Sequence, residues 1–107
     1  MAIKLLLLQS NEEVIADVQE LVDENDKPIF IVLTNPFIVK LVENPELEML
    51  NESTSNQPRY SARYYEWMPL SKEKRFAVNP DWIVTAVEPI DAVMESYKEK
   101  MDGIGRN

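Results

Sequence analysis

Residues 5–21 read LLLLQSNEEVIADVQEL: an apolar run, a polar break, then apolar and polar positions in alternation. The run from Ile3 to Leu8 suits a β-strand, and Gln9-Ser10-Asn11 supplies turn formers behind it. Over residues 13–21 the period is two. Val14, Ala16 and Val18 share one face, Asp17 and Gln19 the other, as in a half-buried strand. A helix is the rival, because Glu, Ala, Gln and Leu favour it. The β-branched pair Val14-Ile15 and the flanking turn residues favour the strand.

Residues 22–28, VDENDKP, predict a polar hairpin connection, and Ile29-Phe30-Ile31-Val32-Leu33 a strand buried on both faces. Asn35-Pro36 interrupts that strand, since proline cannot donate to a ladder, and residues 37–42 resume it. One long strand with a sharp bend accounts for both halves. Residues 43–58, ENPELEMLNESTSNQP, predict a long loop. Residues 60–68 return to β character, and Phe76-Ala77-Val78 and residues 83–87 form a last pair about Asn79-Pro80-Asp81. After Pro89 the period changes: Ile90, Val93, Met94, Tyr97 and Met101 fall on one face of an amphipathic helix over about residues 90–101. Lys98 and Lys100 suit its C-terminal dipole and Gly103 its C′ position. The fold class this predicts is mostly β: a single domain over residues 1–107 with a small, strongly bent five-stranded antiparallel barrel and a C-terminal α-helix.

Composition narrows the chemistry. The 107 residues contain no cysteine and no histidine. Disulfides, thiol chemistry, Ser-His-Asp triads and zinc sites built on those side chains are excluded. No constellation of acid, base and nucleophile is legible, no EF-hand spacing occurs, and neither an enzyme nor a cofactor is expected. The run Leu5 to Leu8 is too short for a signal peptide and meets acids at once, and no stretch is long enough for a membrane helix. Asn51-Glu52-Ser53 is then a chance sequon. The expected location is the cytoplasm, that of the host if a phage encodes the chain.

Charge is uneven. The net charge is −8, yet residues 53–75 carry Arg59, Arg63, Lys72, Lys74 and Arg75 against only Glu66 and Glu73. An acidic chain repels phosphate backbones in general, so any nucleic-acid contact must be local, and residues 59–75 are the place for it.

Two stretches resemble the Sm-like (LSm) family. Ser10 to Leu21, SNEEVIADVQEL, is similar to the family's first strand pair, which tends to read Asn-Gly-x-Glu-Val-x-Gly-x-Leu. Asn11 stands at the turn, able to take the left-handed conformation glycine takes there, and Ala16 replaces the second glycine. AVNPDWIVTAVEP, residues 77–89, is similar to the family's last strand pair and its closing proline. Together they cover roughly a quarter of the chain, which looks like a small, cyanophage-type member. The resemblance implies a barrel that assembles into a ring and binds a base through its third and fifth loops. Asn25, Lys27, Asn79 and Trp82 lie in the matching loops, but the family's aromatic-x-Asn is absent and Asn79-Pro80 replaces its Arg-Gly. The family's helix also precedes the barrel, whereas the helix here follows it.

RYSARYYEW, residues 59–67, supports two readings. Arginine interleaved with aromatics suits stacking on single-stranded bases, and the same residues suit a core or a subunit interface. The run Ser71 to Arg75 reads as a solvated turn or a phosphate contact, and Trp82 as loop or core. The acids Glu43, Glu46, Glu48 and Glu52 read as a solvated loop before a weak cation site, and the helix stripe as packing on its own barrel. The leading expectation is an Sm-like ring that binds RNA or single-stranded nucleic acid through Arg59, Arg63, Lys72, Lys74, Arg75, Asn25, Lys27, Asn79 and Trp82. The alternative is a structural or protein-interaction module, such as a phage assembly component. The expected partner is a second copy in a cyclic homo-oligomer, as the family pairs its fourth strand with a neighbour's last. Tyr64, Tyr65 and Trp67 would then meet Ile83 and Thr85 of the next subunit. No membrane partner and no metal are expected.

Overall fold

The computed structural model describes residues 2–43 and 60–105. It contains β1 (Ile3–Leu8), β2 (Glu13–Val22), β3 (Pro28–Glu43), β4 (Tyr60–Glu66), β5 (Arg75–Val78), β6 (Ile83–Val87) and helix α1 (Asp91–Gly105). The strands form one antiparallel sheet in the order β4-β3-β2-β1-β6, with β5 on the other half of β3. The alternation over Glu13 to Leu21 is therefore a strand, as expected, and the helix is C-terminal.

Six strands form where the pattern predicts five. Asn79 accepts the Asp81 N–H on its side chain at 2.9 Å and starts one 3-10 turn, Pro80–Trp82. That turn carries the chain from β5, which pairs with β3, to β6, which pairs with β1. β4 and β6 end the strand order, and no ladder joins them among the described residues, so the sheet is not closed.

The bend in β3 is a bulge. From Ile15↔Phe37 to Asp17↔Thr34, β2 advances two residues and β3 three. One extra residue reverses which parity points inward. Ile31 and Leu33 thus join Ile38 in one apolar cluster, while Phe37 and Val39 join another. Asn35 makes the reversal with a φ of 51°, a left-handed conformation asparagine tolerates better than most residues. Its N–H donates to the Lys74 carbonyl at 2.7 Å, and the Trp67 N–H donates to the Pro36 carbonyl at 3.1 Å, so the disrupted ladder finds other partners.

Each cluster lines one side of the sheet. The first holds Leu6, Leu8, Val14, Ala16, Leu33 and Val78, with Trp67, Phe76 and Ile83 packed against it. The second holds Ile3, Ile15, Phe37 and Tyr97, and α1 covers it with Val93, Met94 and Met101. From Val93 onward the helix stripe therefore packs on its own sheet, whereas Ile90 precedes the helix and is 72% exposed. Burial of each large apolar side chain contributes about 1.5–3 kcal/mol.

Four expectations need correction. Ile29 and Phe30 are 48% and 45% exposed rather than buried on both faces, because β5 reaches only as far as Ile31 and the β2–β3 hairpin runs on beyond it. The fourth strand stops at Glu66, with Met68 at a φ of 65°. The helix continues to Gly105, so Lys98 and Lys100 lie inside it and its last turn has no base. Gly103 sits within the helix, with open space around the position a Cβ would take. The predicted loop beyond Glu43, with Glu46, Glu48, Glu52 and the sequon, lies outside the described residues.

Candidate nucleic-acid interface

The basic residues of the 59–75 segment do not gather at one point. Arg59 lies outside the described residues. Lys74 is half-buried, 3.6 Å from the Glu66 carboxylate, and donates to the Ser71 carbonyl at 3.0 Å, so its charge is largely matched. Arg75 points from β5 across β3 and donates from Nη2 to Gln19 Oε1 at 3.3 Å. Lys72 is exposed in the β4–β5 connection.

The two loops singled out by the resemblance are spent on local structure. In the β2–β3 turn the Asp23 carboxylate accepts the Asn25 and Lys27 N–H groups at 2.8 and 3.0 Å, leaving both side chains exposed. Asn79 caps the 3-10 turn. Trp82 is 44% exposed, and its carbonyl accepts the Gln9 N–H at 2.9 Å, tying this turn to the β1–β2 turn. Asn11 takes the left-handed conformation there, at a φ of 68°.

The aromatics of β4 divide. Tyr64 packs in the helix-covered cluster, its hydroxyl buried without a hydrogen-bond partner among the described residues. Trp67 packs edge-on against Phe76, centroids 5.5 Å apart, and donates from Nε1 to Glu12 Oε1 at 3.2 Å. Each face of the sheet thus has its own core to absorb aromatics. Ile83 is half-buried at the first core and Thr85 is exposed on β6. Only Tyr65 of the three remains open, at 49% exposure.

Tyr65 has company the sequence pattern did not single out. Lys40 lies opposite Arg63, and Ile38 opposite Tyr65, across the β3–β4 ladder. Alternation sets Lys40, Arg63 and Tyr65 on one side, and the Lys40 ammonium stands 5.8 Å from the Tyr65 ring centroid. Both cations are exposed, and among the described residues no carboxylate pairs with either. Like charges directly opposite on neighbouring strands repel. Finding Lys40 from sequence would have required the β3–β4 register, which no local pattern encodes.

Other features offer less. A groove of about 460 Å³ is lined mainly by Leu5, Val39, Leu41, Ala62, Val87 and Ile90, and Glu13 and Glu88 supply its carboxylates. A smaller hollow of about 150 Å³ lies between Pro36, Phe37, Trp67 and the Lys74–Glu66 pair. Among the described residues there is no group of acids placed to hold a metal ion, and no helix is long and apolar enough to cross a membrane. Burial pushes the Tyr97 hydroxyl up to about 12, with the Asp17 carboxylate adding to the rise and the Asp17 N–H opposing it. That group stays protonated in the neutral range and serves packing.

Residues 1–102 match a family of unknown function, DUF6561, and the chain belongs to that family. No curated protein matches it.

Proposed function

We propose that the chain is a self-assembling, Sm-like β-module that binds single-stranded nucleic acid on the β3–β4 face. The observation that carries this reading is the exposed triad Lys40, Arg63 and Tyr65, two cations that have no carboxylate partner among the described residues, beside an open ring. Phosphates would meet the two cations, and a base would stack on Tyr65, a contact worth about 1–3 kcal/mol. The loop residues Asn25, Lys27, Asn79 and Trp82 carry less of the binding, because the triad offers charge and stacking on one face.

Two cations on a chain of net charge −8 bind a polyanion weakly. Repetition of the triad in a homo-oligomer would raise the avidity. β4 and β6 end the strand order, each with one edge unpaired among the described residues, and β6 (IVTAV) bears no charge to discourage pairing. A head-to-tail contact of β4 with the next copy's β6 would close a ring when its rotation divides a circle. The alternative, a structural or protein-interaction module, draws on the exposed apolar β2–β3 hairpin and predicts no salt-dependent binding.

Fluorescence anisotropy with oligo-U, oligo-A and duplex DNA tests the reading. Binding should favour single strands over duplex and weaken with salt. Replacing Lys40 and Arg63 together by Ala should flatten the log–log salt slope by about 1.4 per copy engaged, at roughly 0.7 per phosphate contact on a single strand. Tyr65→Ala should weaken binding at all salt concentrations without changing the slope. Equal affinity for duplex, or no effect of the double variant, would defeat the proposal.

A further inference from the structure

Beyond its last contact with β5, at Ile31↔Val78, the β2–β3 hairpin continues as a two-stranded arm. Every residue from Gln19 to Phe30 is exposed. Leu21 sits opposite Phe30, and Leu21, Val22, Ile29 and Phe30 are each between 39% and 48% exposed. A two-stranded ribbon is marginal by itself, and four half-bare apolar residues on it favour a cover. The arm is also acidic: Glu20, Asp23, Glu24 and Asp26 stand against Lys27 alone. Asp23 is occupied in the turn, whereas Glu20, Glu24 and Asp26 have no cationic partner among the described residues.

The opposite surface is on the same chain. Lys40 and Arg63 form an exposed cationic pair with the half-open ring of Tyr65 beside it. Phe30 and Lys40 lie ten positions apart on β3, on opposite sides of its bulge, the first held in the ladder to β2 and the second in the ladder to β4. Within one copy the arm therefore cannot fold onto the triad; a second copy can present it.

We infer that the arm of one copy docks on the Lys40–Arg63–Tyr65 face of another, its acids against the two cations and its apolar residues against the tyrosine ring. The contact joins unlike surfaces, so it is head-to-tail and separate from any pairing of β4 with β6. The docking stands without nucleic acid. Its consequence, that arm and single strand compete for one face, rests on the reading above.

Sedimentation velocity over a concentration series, without nucleic acid, tests the docking by charge exchange. Glu20→Lys with Glu24→Lys reverses the arm, and Lys40→Glu with Arg63→Glu reverses the face. Each pair should weaken self-association at least tenfold. All four substitutions together should restore it to within about threefold of the native chain, and circular dichroism should show the same fold throughout. A native chain that stays monomeric, association unchanged by either reversed pair, or a fourfold variant that fails to recover would overturn the inference. Association broken only by a charge on β6 would assign the contact to the strand edges and overturn it too. Because no nucleic acid is present, failure here leaves oligonucleotide binding by the triad separately measurable, and the reverse holds.

Discussion

Tyr97 is where the helix holds the bend of β3, and its removal has a calculable cost. The side chain is fully buried, packs edge-on against Phe37 with centroids 6.4 Å apart, and its hydroxyl lies 2.9 Å from the Asn35 carbonyl and 3.3 Å from that of Thr34. The nearer acceptor, Asn35, sits in the bulge and has no ladder partner, whereas Thr34 beside it is still paired with Asp17 and Arg75. Tyr97→Phe keeps the ring and leaves those acceptors short of a donor, a loss of about 1–1.5 kcal/mol. Tyr97→Ala also opens a cavity between helix and sheet and should cost about 3–5 kcal/mol. Urea unfolding should show both losses as lower midpoints with unchanged slope.

The pH dependence gives a second handle on the same residue. Burial holds the native hydroxyl at about 12, against an ordinary value of 10.0. The unfolded chain therefore loses this proton first. The stabilisation is complete below the unfolded value and falls away as pH rises from 10 to 12. That loss is about 2–3 kcal/mol, so the Tyr97→Phe variant should overtake the native chain near pH ~11. Equal stability of Tyr97→Phe and native protein at neutral pH, or a gap that does not narrow in alkali, would refute this account of the helix contact.

Three further outcomes follow from individual contacts. Asn35→Gly should leave the urea midpoint nearly unchanged, while Asn35→Val should cost about 1–2 kcal/mol, since a β-branched residue resists the left-handed conformation at the bulge. Trp67→Phe removes the Nε1 donor to Glu12 but keeps an aromatic edge for Phe76, and should cost about 1 kcal/mol in thermal or urea unfolding. Thr85→Lys places a charge on the exposed β6 strand. It should lower the mass seen by light scattering if β6 is a subunit contact, and leave the monomer's melting temperature unaltered.

Most of the β pattern was legible because Val14, Ala16 and Val18 meet the first core in the expected phase, although Ile15 on the other side is buried in the second core and β2 is not the half-buried strand the alternation implied. Asn35-Pro36 announced the bend of β3 for the same reason that it makes it, a left-handed residue followed by one with no N–H to donate. What stayed hidden was non-local. Phe76–Val78 and Ile83–Val87 read as one terminal pair, but they bind different partners, β3 and β1, and no local signal distinguishes that from a hairpin. Ile29 and Phe30 have core composition, yet their exposure depends on where β5 ends. The candidate site shows the same limit. Clustering in sequence led to Lys74 and Arg75, which structure engages with Glu66 and Gln19, while the cation opposite Arg63 lies 23 positions away at Lys40.

The most direct test of the proposed function is where a single strand touches the protein. Backbone amide shifts in a ¹H–¹⁵N spectrum, followed during titration with oligo-U at low salt, report that location. The account predicts the largest shifts at Lys40, Arg63, Tyr65 and their ladder neighbours on β3 and β4, with smaller changes at Asn25, Asn79 and Trp82. Shifts confined to the β2–β3 turn and the 3-10 turn, or none at saturating oligonucleotide, would contradict it.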